Sequence, residues 1–252
     1  MPLGADYTID NSIRAGLSFN IGGGYAEGSG DLKSTENHMN FWGIGAYFGW
    51  TQETSSTSAF ALTADVNYTQ TFNAVEQSET RALGTGKLKS DIDAYAVSMG
   101  LRGDYKMRFD SVDVTPHVGV RYTSLHTNEY NVKSSGQKLL KGDAINQDIW
   151  SFSIGVTFSR DFALDDGWYV RPSLDLQVVP YAGDIKARGD VRFTGVGSKA
   201  EVETQTMDYL TYGGQIGVEF GNDTIKLGVN YNIQHGANST SHGVFGTFRV
   251  EF

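Results

Sequence analysis

The chain has 252 residues, enough for one large β domain or two ordinary ones. A net charge of −9 and a pI near 5.0 argue against a nucleic-acid binder, and the absence of cysteine excludes a disulfide framework and thiolate metal sites. Only four prolines but 31 glycines occur, with Tyr 13, Phe 14 and Trp 4, a mix that suits long strands with aromatic edges. No run of about 18 apolar residues codes for a membrane helix, and Met1 to Tyr7 lacks the basic start and apolar stretch of a signal peptide. A β-barrel escapes such hydropathy searches, because only every second residue faces lipid.

The elements follow in order. Leu3 to Tyr7 reads as the end of a strand, and Thr8 to Ser12 as a tight turn. Ile13, Ala15, Leu17, Phe19 and Ile21 then alternate with Arg14, Gly16, Ser18, Asn20 and Gly22. Period-two alternation sends the two sets to opposite faces of a strand. A polar, glycine-rich loop is expected over roughly 23–37. Trp42, Ile44, Ala46, Phe48 and Trp50 form the next oily row, followed by a short turn. Phe60, Leu62, Ala64, Val66 and Tyr68 run against Asp65 and Asn67, before a polar loop at about 73–90. Tyr95, Val97, Met99 and Leu101 run against Ser98, Arg102 and Asp104; Val114, Pro116, Val118, Val120 and Tyr122 run against Thr115, His117 and Arg121.

A long polar loop is expected at about 128–147. Trp150, Phe152, Ile154, Val156 and Phe158 follow, then a short turn, then Trp168, Val170, Leu174, Leu176 and Val178 against Arg171 and Asp175. The stretch 183–206 is polar, with room for strand extensions around Val191, Phe193 and Val202. Tyr212, Ile216, Val218 and Phe220 oppose Gln215 and Glu219; Ile225, Leu227, Val229, Tyr231 and Ile233 oppose Lys226, Asn230 and Asn232. The last strand sets Val244, Phe248, Val250 and Phe252 against Thr247, Arg249 and Glu251. The pattern gives ten complete strands and one partial strand in a single domain spanning 1–252, with short and long connections in strict alternation. All short turns therefore fall on one edge and all long loops on the other.

What the oily face touches decides the class. A soluble sandwich or lipocalin-like barrel would pack it inward. The strands exceed the usual length of about five to six residues and match the 9–11 that cross a bilayer at a tilt. Trp42, Trp50, Trp150, Trp168 and Phe220 stand at the ends of oily rows. Trp42 and Trp50 are eight residues apart, roughly 20 Å along a tilted strand and close to the apolar band of about 25 Å between aromatic girdles. The opposite face carries Arg14, Asp65, Arg102, Asp104, Arg121, Arg171, Asp175, Glu219, Lys226, Arg249 and Glu251, which would line a wet lumen. The expected class is an all-β, transmembrane, antiparallel up-and-down barrel, closed because an open edge in lipid leaves backbone groups unpaired.

On these passages the chain resembles the C-terminal translocator domain of autotransporters, the type V secretion proteins of Gram-negative bacteria. They are Leu3 to Tyr7 with Arg14 to Phe19, Ile44 to Trp50, Pro116 to Tyr122, Trp168 to Pro172, and Gly246 to Phe252. The resemblance implies a 12-stranded outer-membrane barrel that anchors and helps export an N-terminal passenger, whose linker helix threads the lumen. It also implies that Phe248, Val250 and Phe252 form the signal read by the barrel assembly machinery. Thr247 stands where that signal usually carries glycine. Against the family the sequence lacks the first strand, most of the second, the linker helix and the passenger, as a C-terminal piece would. The implied partners are outer-membrane lipids, the assembly machinery and the chain's own passenger and linker helix, with a monomeric barrel, short turns in the periplasm and long loops outside.

Catalysis is not expected. The charged lumen residues have a simpler role in solvating the lumen, and His126, His235 and His242, at or near long-loop ends, show no spacing with Asp or Ser that names a reaction. Gly84-Thr85-Gly86-Lys87 misses the phosphate-loop pattern because Leu88 follows the lysine. No cofactor or metal is expected. The rivals are a small porin, a ten-stranded outer-membrane protease and a soluble binding barrel.

Overall fold

A computed structural model describes residues 2–10, 12–27, 35–78, 87–195 and 199–250. It contains one antiparallel sheet. Eleven strands form its main path in the order of the chain. They are β1 (Pro2–Thr8), β2 (Ile13–Glu27), β3 (Thr35–Ser55), β4 (Ser58–Gln77), β5 (Leu88–Phe109), β6 (Val112–Thr127), β9 (Ile145–Ser159), β11 (Tyr169–Gly183), β14 (Leu210–Gly221), β15 (Ile225–Gly236) and β16 (Thr240–Val250). Five short strands branch from this path: β7 (Tyr130–Ser134), β8 (Gln137–Gly142), β10 (Phe162–Ala163), β12 (Lys186–Phe193) and β13 (Lys199–Gln205).

Side-chain chemistry sets the short turns. The Asp10 carboxylate accepts from the Ser12 and Ile13 amides at 2.7 and 2.8 Å, and the Asn222 amide oxygen accepts from Thr224 and Ile225 at 2.9 and 2.8 Å. Each closes an Asx turn that reverses the chain. Between β5 and β6, Asp110 takes φ 53°, a left-handed conformation that aspartate tolerates in tight turns.

The strands are longer than the oily rows. β3, β4 and β5 run 21, 20 and 22 residues, well above the roughly 9–11 a bilayer requires. The expected loops at 23–37 and 73–90 are therefore shorter, because both strands of each hairpin continue upward with polar residues on both faces. The expected loop at 128–147 is corrected further, whereas the strand extensions expected around Val191, Phe193 and Val202 within 183–206 are present. The first holds the β7–β8 hairpin, turned by Ser135 (φ 50°) and Gly136 (φ 83°), and the second holds β12–β13. β7 pairs with the top of β5 and β8 with β12, so the hairpins continue the sheet above the main path.

Among the described residues no second layer covers the outward face. The buried apolar residues among those described are Ala94, Ile149, Val179 and Ile185. The oily rows are widely exposed, with Leu17 67%, Ile216 62% and Val229 62% exposed. A water-soluble sheet of this size would bury these faces against another layer. The polar row faces inward. Asp6 and Arg249 sit on opposite edge strands, 243 positions apart, and their side chains meet at 2.9 Å, so the sheet curls with the polar side inside. No helix among the described residues is long and apolar enough to cross a membrane.

Candidate functional site

The candidate site is the inner wall, built by the row of side chains that alternates with the oily row. At the short-turn end Asp6 receives Arg249, stands 3.6 Å from Arg14, and accepts from the Tyr47 hydroxyl at 2.5 Å. These four groups tie β1, β2, β3 and β16 together. Around the same rim, Asp113 accepts from Arg108 Nε at 2.7 Å and pairs with Lys106 Nζ at 2.7 Å; only 3% of its side chain is exposed. Asp161 pairs with Arg171, which lies 3.7 Å from Glu219, and Glu219 accepts from the Tyr169 hydroxyl at 2.7 Å.

Higher on the wall, Arg121 donates to Asp65 at 2.8 Å and to Ser98 at 3.2 Å, and Asp65 accepts from Asn67 at 2.5 Å. Arg102 and Asp104 pair two residues apart on β5 at 2.7 Å. Asp175 accepts from Thr157 at 2.6 Å and bonds His117 Nε2 at 2.8 Å. The His117 ring lies over Gly155, where an added Cβ would come within 2.6 Å of it and 2.5 Å of the Leu176 carbonyl, so glycine is required there. Gly100 makes room in the same way for Asp65 and Arg121.

Of the expected inner residues, Arg14, Asp65, Arg102, Asp104, Arg121, Arg171, Asp175, Glu219, Lys226 and Arg249 lie on this row, and all except Lys226 enter the contacts just given. Glu251 and Phe252 fall outside the described residues. Asp6, Tyr47, Asp113, Lys106, Arg108, Asp161 and Thr157 were missed as site residues, although Asp113 and Lys106 share the polar parity of their strands. The wall is mostly self-neutralised and carries water-compatible groups throughout. It holds no group of three or more His, Asp or Glu placed for a metal among the described residues.

The aromatic ends form two belts on the outside. At the short-turn end Trp50 meets Phe60 edge-on at 6.1 Å and Trp168 stacks on Phe220 at 4.6 Å. At the long-loop end Trp42, Tyr68 and Tyr95 follow at 5.6 and 6.1 Å, and Tyr122 lies 5.0 Å from Trp150. In the terminal strand Phe248 is 68% exposed opposite Leu227, and Val250 pairs with Ile225.

Above the belts the long loops are held by their own polar contacts. Asp208 on the β13–β14 connection accepts from Ser239 Oγ at 2.8 Å and from Asn238 Nδ2 at 2.7 Å and its amide at 3.1 Å. The Ser239 hydroxyl and the Asn238 donors, against some burial, hold this carboxyl below the usual carboxylate range. A lowered folded value means the tie is complete above the ordinary value and weakens as pH falls through the folded one. The Asn238 amide should stay protected from hydrogen exchange at neutral pH and lose protection in acid. Asp208→Ala should show the acid level at neutral pH, and unchanged protection in that variant would refute the tie. Glu76, at the top of β4, is held at about 2 by Lys87, with Lys89 the second donor.

The model of the autotransporter β-domain family matches residues 2–232. The fold is similar to the translocator domain of autotransporter NalP from Neisseria meningitidis, with TM-score 0.70 and 11% identity over 100% of this chain and 78% of that one. It is also similar to the transport unit of AIDA-I from Escherichia coli, with TM-score 0.67 and 14% identity over 100% and 81%. The β domain of the Bordetella autotransporter BrkA follows, with TM-score 0.66 and 14% identity over 100% and 88%. At these identities the solved structures speak to the fold alone. The comparison with curated proteins gave no match.

Proposed function

The chain belongs to the autotransporter β-domain family, and from that premise we propose that its wall lines the route and seat of a passenger-bearing segment. It is a translocator of type V secretion, an outer-membrane transport unit. In our reading the 1–252 unit is one domain, acts as a pore and anchor without catalysis, and stands as a monomer in the lipid. The short turns, such as 9–12 and 222–224, face the periplasm, and the β7–β8 and β12–β13 hairpins face outside. Trp42, Trp50, Trp150, Trp168 and Phe220 mark the two lipid interfaces. Phe248, Val250 and Phe252 form the signal that the barrel assembly machinery recognises.

One observation carries the reading. The sheet has a bare apolar face outside and a charge-paired polar face inside, the reverse of a soluble barrel. A polar wall suits a segment that must slide through it, since paired charges bind weakly in water.

The test uses the full reading frame in a Gram-negative host. External protease should release the passenger from intact cells, and an epitope at Gly195 should bind antibody on intact cells while one at Thr57 should not. Deleting Phe252 should sharply lower heat-modifiable barrel and surface passenger together. Normal barrel levels without Phe252 would overturn the assembly role, and an accessible Thr57 epitope would overturn the orientation.

A further inference from the structure

The chain has five histidines, and four of them share one address. His38 is opposite Tyr25, His126 opposite Tyr95 and His235 opposite Tyr212; His242 pairs with Ile233, next outward neighbour of Tyr231. Directly opposed residues share a face of the sheet. His38 follows the row of Trp42, His126 that of Tyr122, His235 that of Tyr231 and His242 that of Val244, so all four project outward at the long-loop end. None of these outward rows carries a histidine at its short-turn end. His117 is the exception, on the inner wall.

The contacts are specific. The rings of Tyr25 and His38 lie 4.8 Å apart, those of Tyr95 and His126 4.9 Å, and the Tyr231 hydroxyl meets His242 Nδ1 at 2.7 Å. His38 and His126 stand four residues above Trp42 and Tyr122, roughly 10 Å along a tilted strand. An aromatic belt marks the lipid–water boundary, so about this height above it lies the headgroup layer.

We propose that His38, His126, His235 and His242 form a headgroup belt that binds phosphate-bearing lipids on the long-loop side of the membrane, more strongly as they take up protons. The inference rests on the membrane-spanning reading above. Two chemical facts favour this occupant. Protonated imidazole keeps its Nε2–H to donate to a phosphate oxygen while Nδ1 is held by the protein, as in His126, His235 and His242, and histidine is the side chain whose ordinary charge change falls between about pH 5 and 8. The chain's net charge is −9, so a negatively charged lipid surface repels it except where cations are placed at headgroup height.

The charged groups beside His38 and His126 are mainly acidic, and His235 and His242 are diagonal neighbours on the outward face of β15 and β16. His38 has Glu36 above it on β3 and Glu76 on β4, the latter engaged by Lys87 and Lys89. His126 bonds Asn146 at 2.6 Å on β9, with Asp93 on β5 and Asp148 on β9 nearby; Asp148 accepts from Tyr122 at 2.7 Å. His235 bonds Thr240 at 2.7 Å. Glu76 is thus engaged by lysine and Asp148 by tyrosine, while Glu36 and Asp93 stand beside the belt on the same outward face.

The experiment titrates the imidazole NMR signals of the folded chain in two bilayers, one of phosphatidylcholine and one of equimolar phosphatidylcholine and phosphatidylglycerol. Single His→Gln variants assign the signals. The four belt midpoints should rise in the anionic bilayer, by about threefold in proton affinity, the size given by an ordinary anionic surface potential. His117, across the wall, should move far less. Inorganic phosphate added to the zwitterionic bilayer should not reproduce the rise; if it does, the belt binds free phosphate and not a lipid surface. Equal midpoints in both bilayers overturn the proposal while the barrel stands. Failure to insert in either bilayer, read by heat modifiability, overturns the membrane reading itself.

Discussion

Arginine at Ile216 should destabilise the inserted barrel by about 2–4 kcal/mol, whereas arginine at the adjacent Gln215 should cost far less. Ile216 is 62% exposed on the outward row, four residues from Phe220 in one belt and four from Tyr212 at the other end, so it sits near the middle of the apolar band. Gln215 points inward and donates to Asn230 at 3.2 Å. One position along the strand thus exchanges hydrocarbon for water. Leu227→Arg should cost less than Ile216→Arg, because Leu227 opposes Phe220 and Phe248 near the short-turn interface, where a snorkelling arginine costs about 0–1 kcal/mol. Reversible urea unfolding from vesicles measures all three. Equal losses at Ile216 and Gln215 would mean that the outward row does not face lipid.

Removing the Asp113 carboxylate should cost about 1–3 kcal/mol. Asp113→Ala strands Lys106 and Arg108 beside a site whose carboxylate is 3% exposed. The two cations are 43% and 47% exposed, so water takes up part of the loss and the figure stays below that of a fully buried pair. Arg102→Ala, which frees Asp104 from an exposed pair, should cost under about 1 kcal/mol by the same measurement. A loss at Asp113 no larger than at Arg102 would show that the rim network adds no stability.

The parity of the side chains was legible in the sequence. Alternation alone placed the strands of the main path, their outward and inward rows, and the edge on which each connection lies. The family likeness followed from short passages in the right order. The β12–β13 hairpin was partly legible: Val191, Phe193 and Val202 alternate with charged residues, and in the structure they lie on one face while Lys186, Arg188, Asp190, Lys199 and Glu203 pair on the other. The β7–β8 hairpin was not, because its strands are only five and six residues long; the Ser135-Gly136 turn was its one local signal. The meeting of Asp6 and Arg249 belongs to tertiary curvature, which no local pattern encodes. Likewise the Asp113 network draws on a strand end, a turn and two neighbouring strands. The histidine belt was half visible: three of its members stood out near long loops, but only the register, and for His242 the contact with Tyr231, put a tyrosine beside each.

The most direct test of the barrel reading uses the chain's lack of cysteine. Single cysteines at Gln215, Ile216, Gly217, Val218 and Glu219 would each carry a small fluorophore in the bilayer-inserted protein. Lipid-borne quenchers should act on positions 216 and 218 and aqueous quenchers on 215, 217 and 219. Quenching that ignores this alternation, or that reverses it, would contradict a lipid-facing oily row around a wet polar lumen.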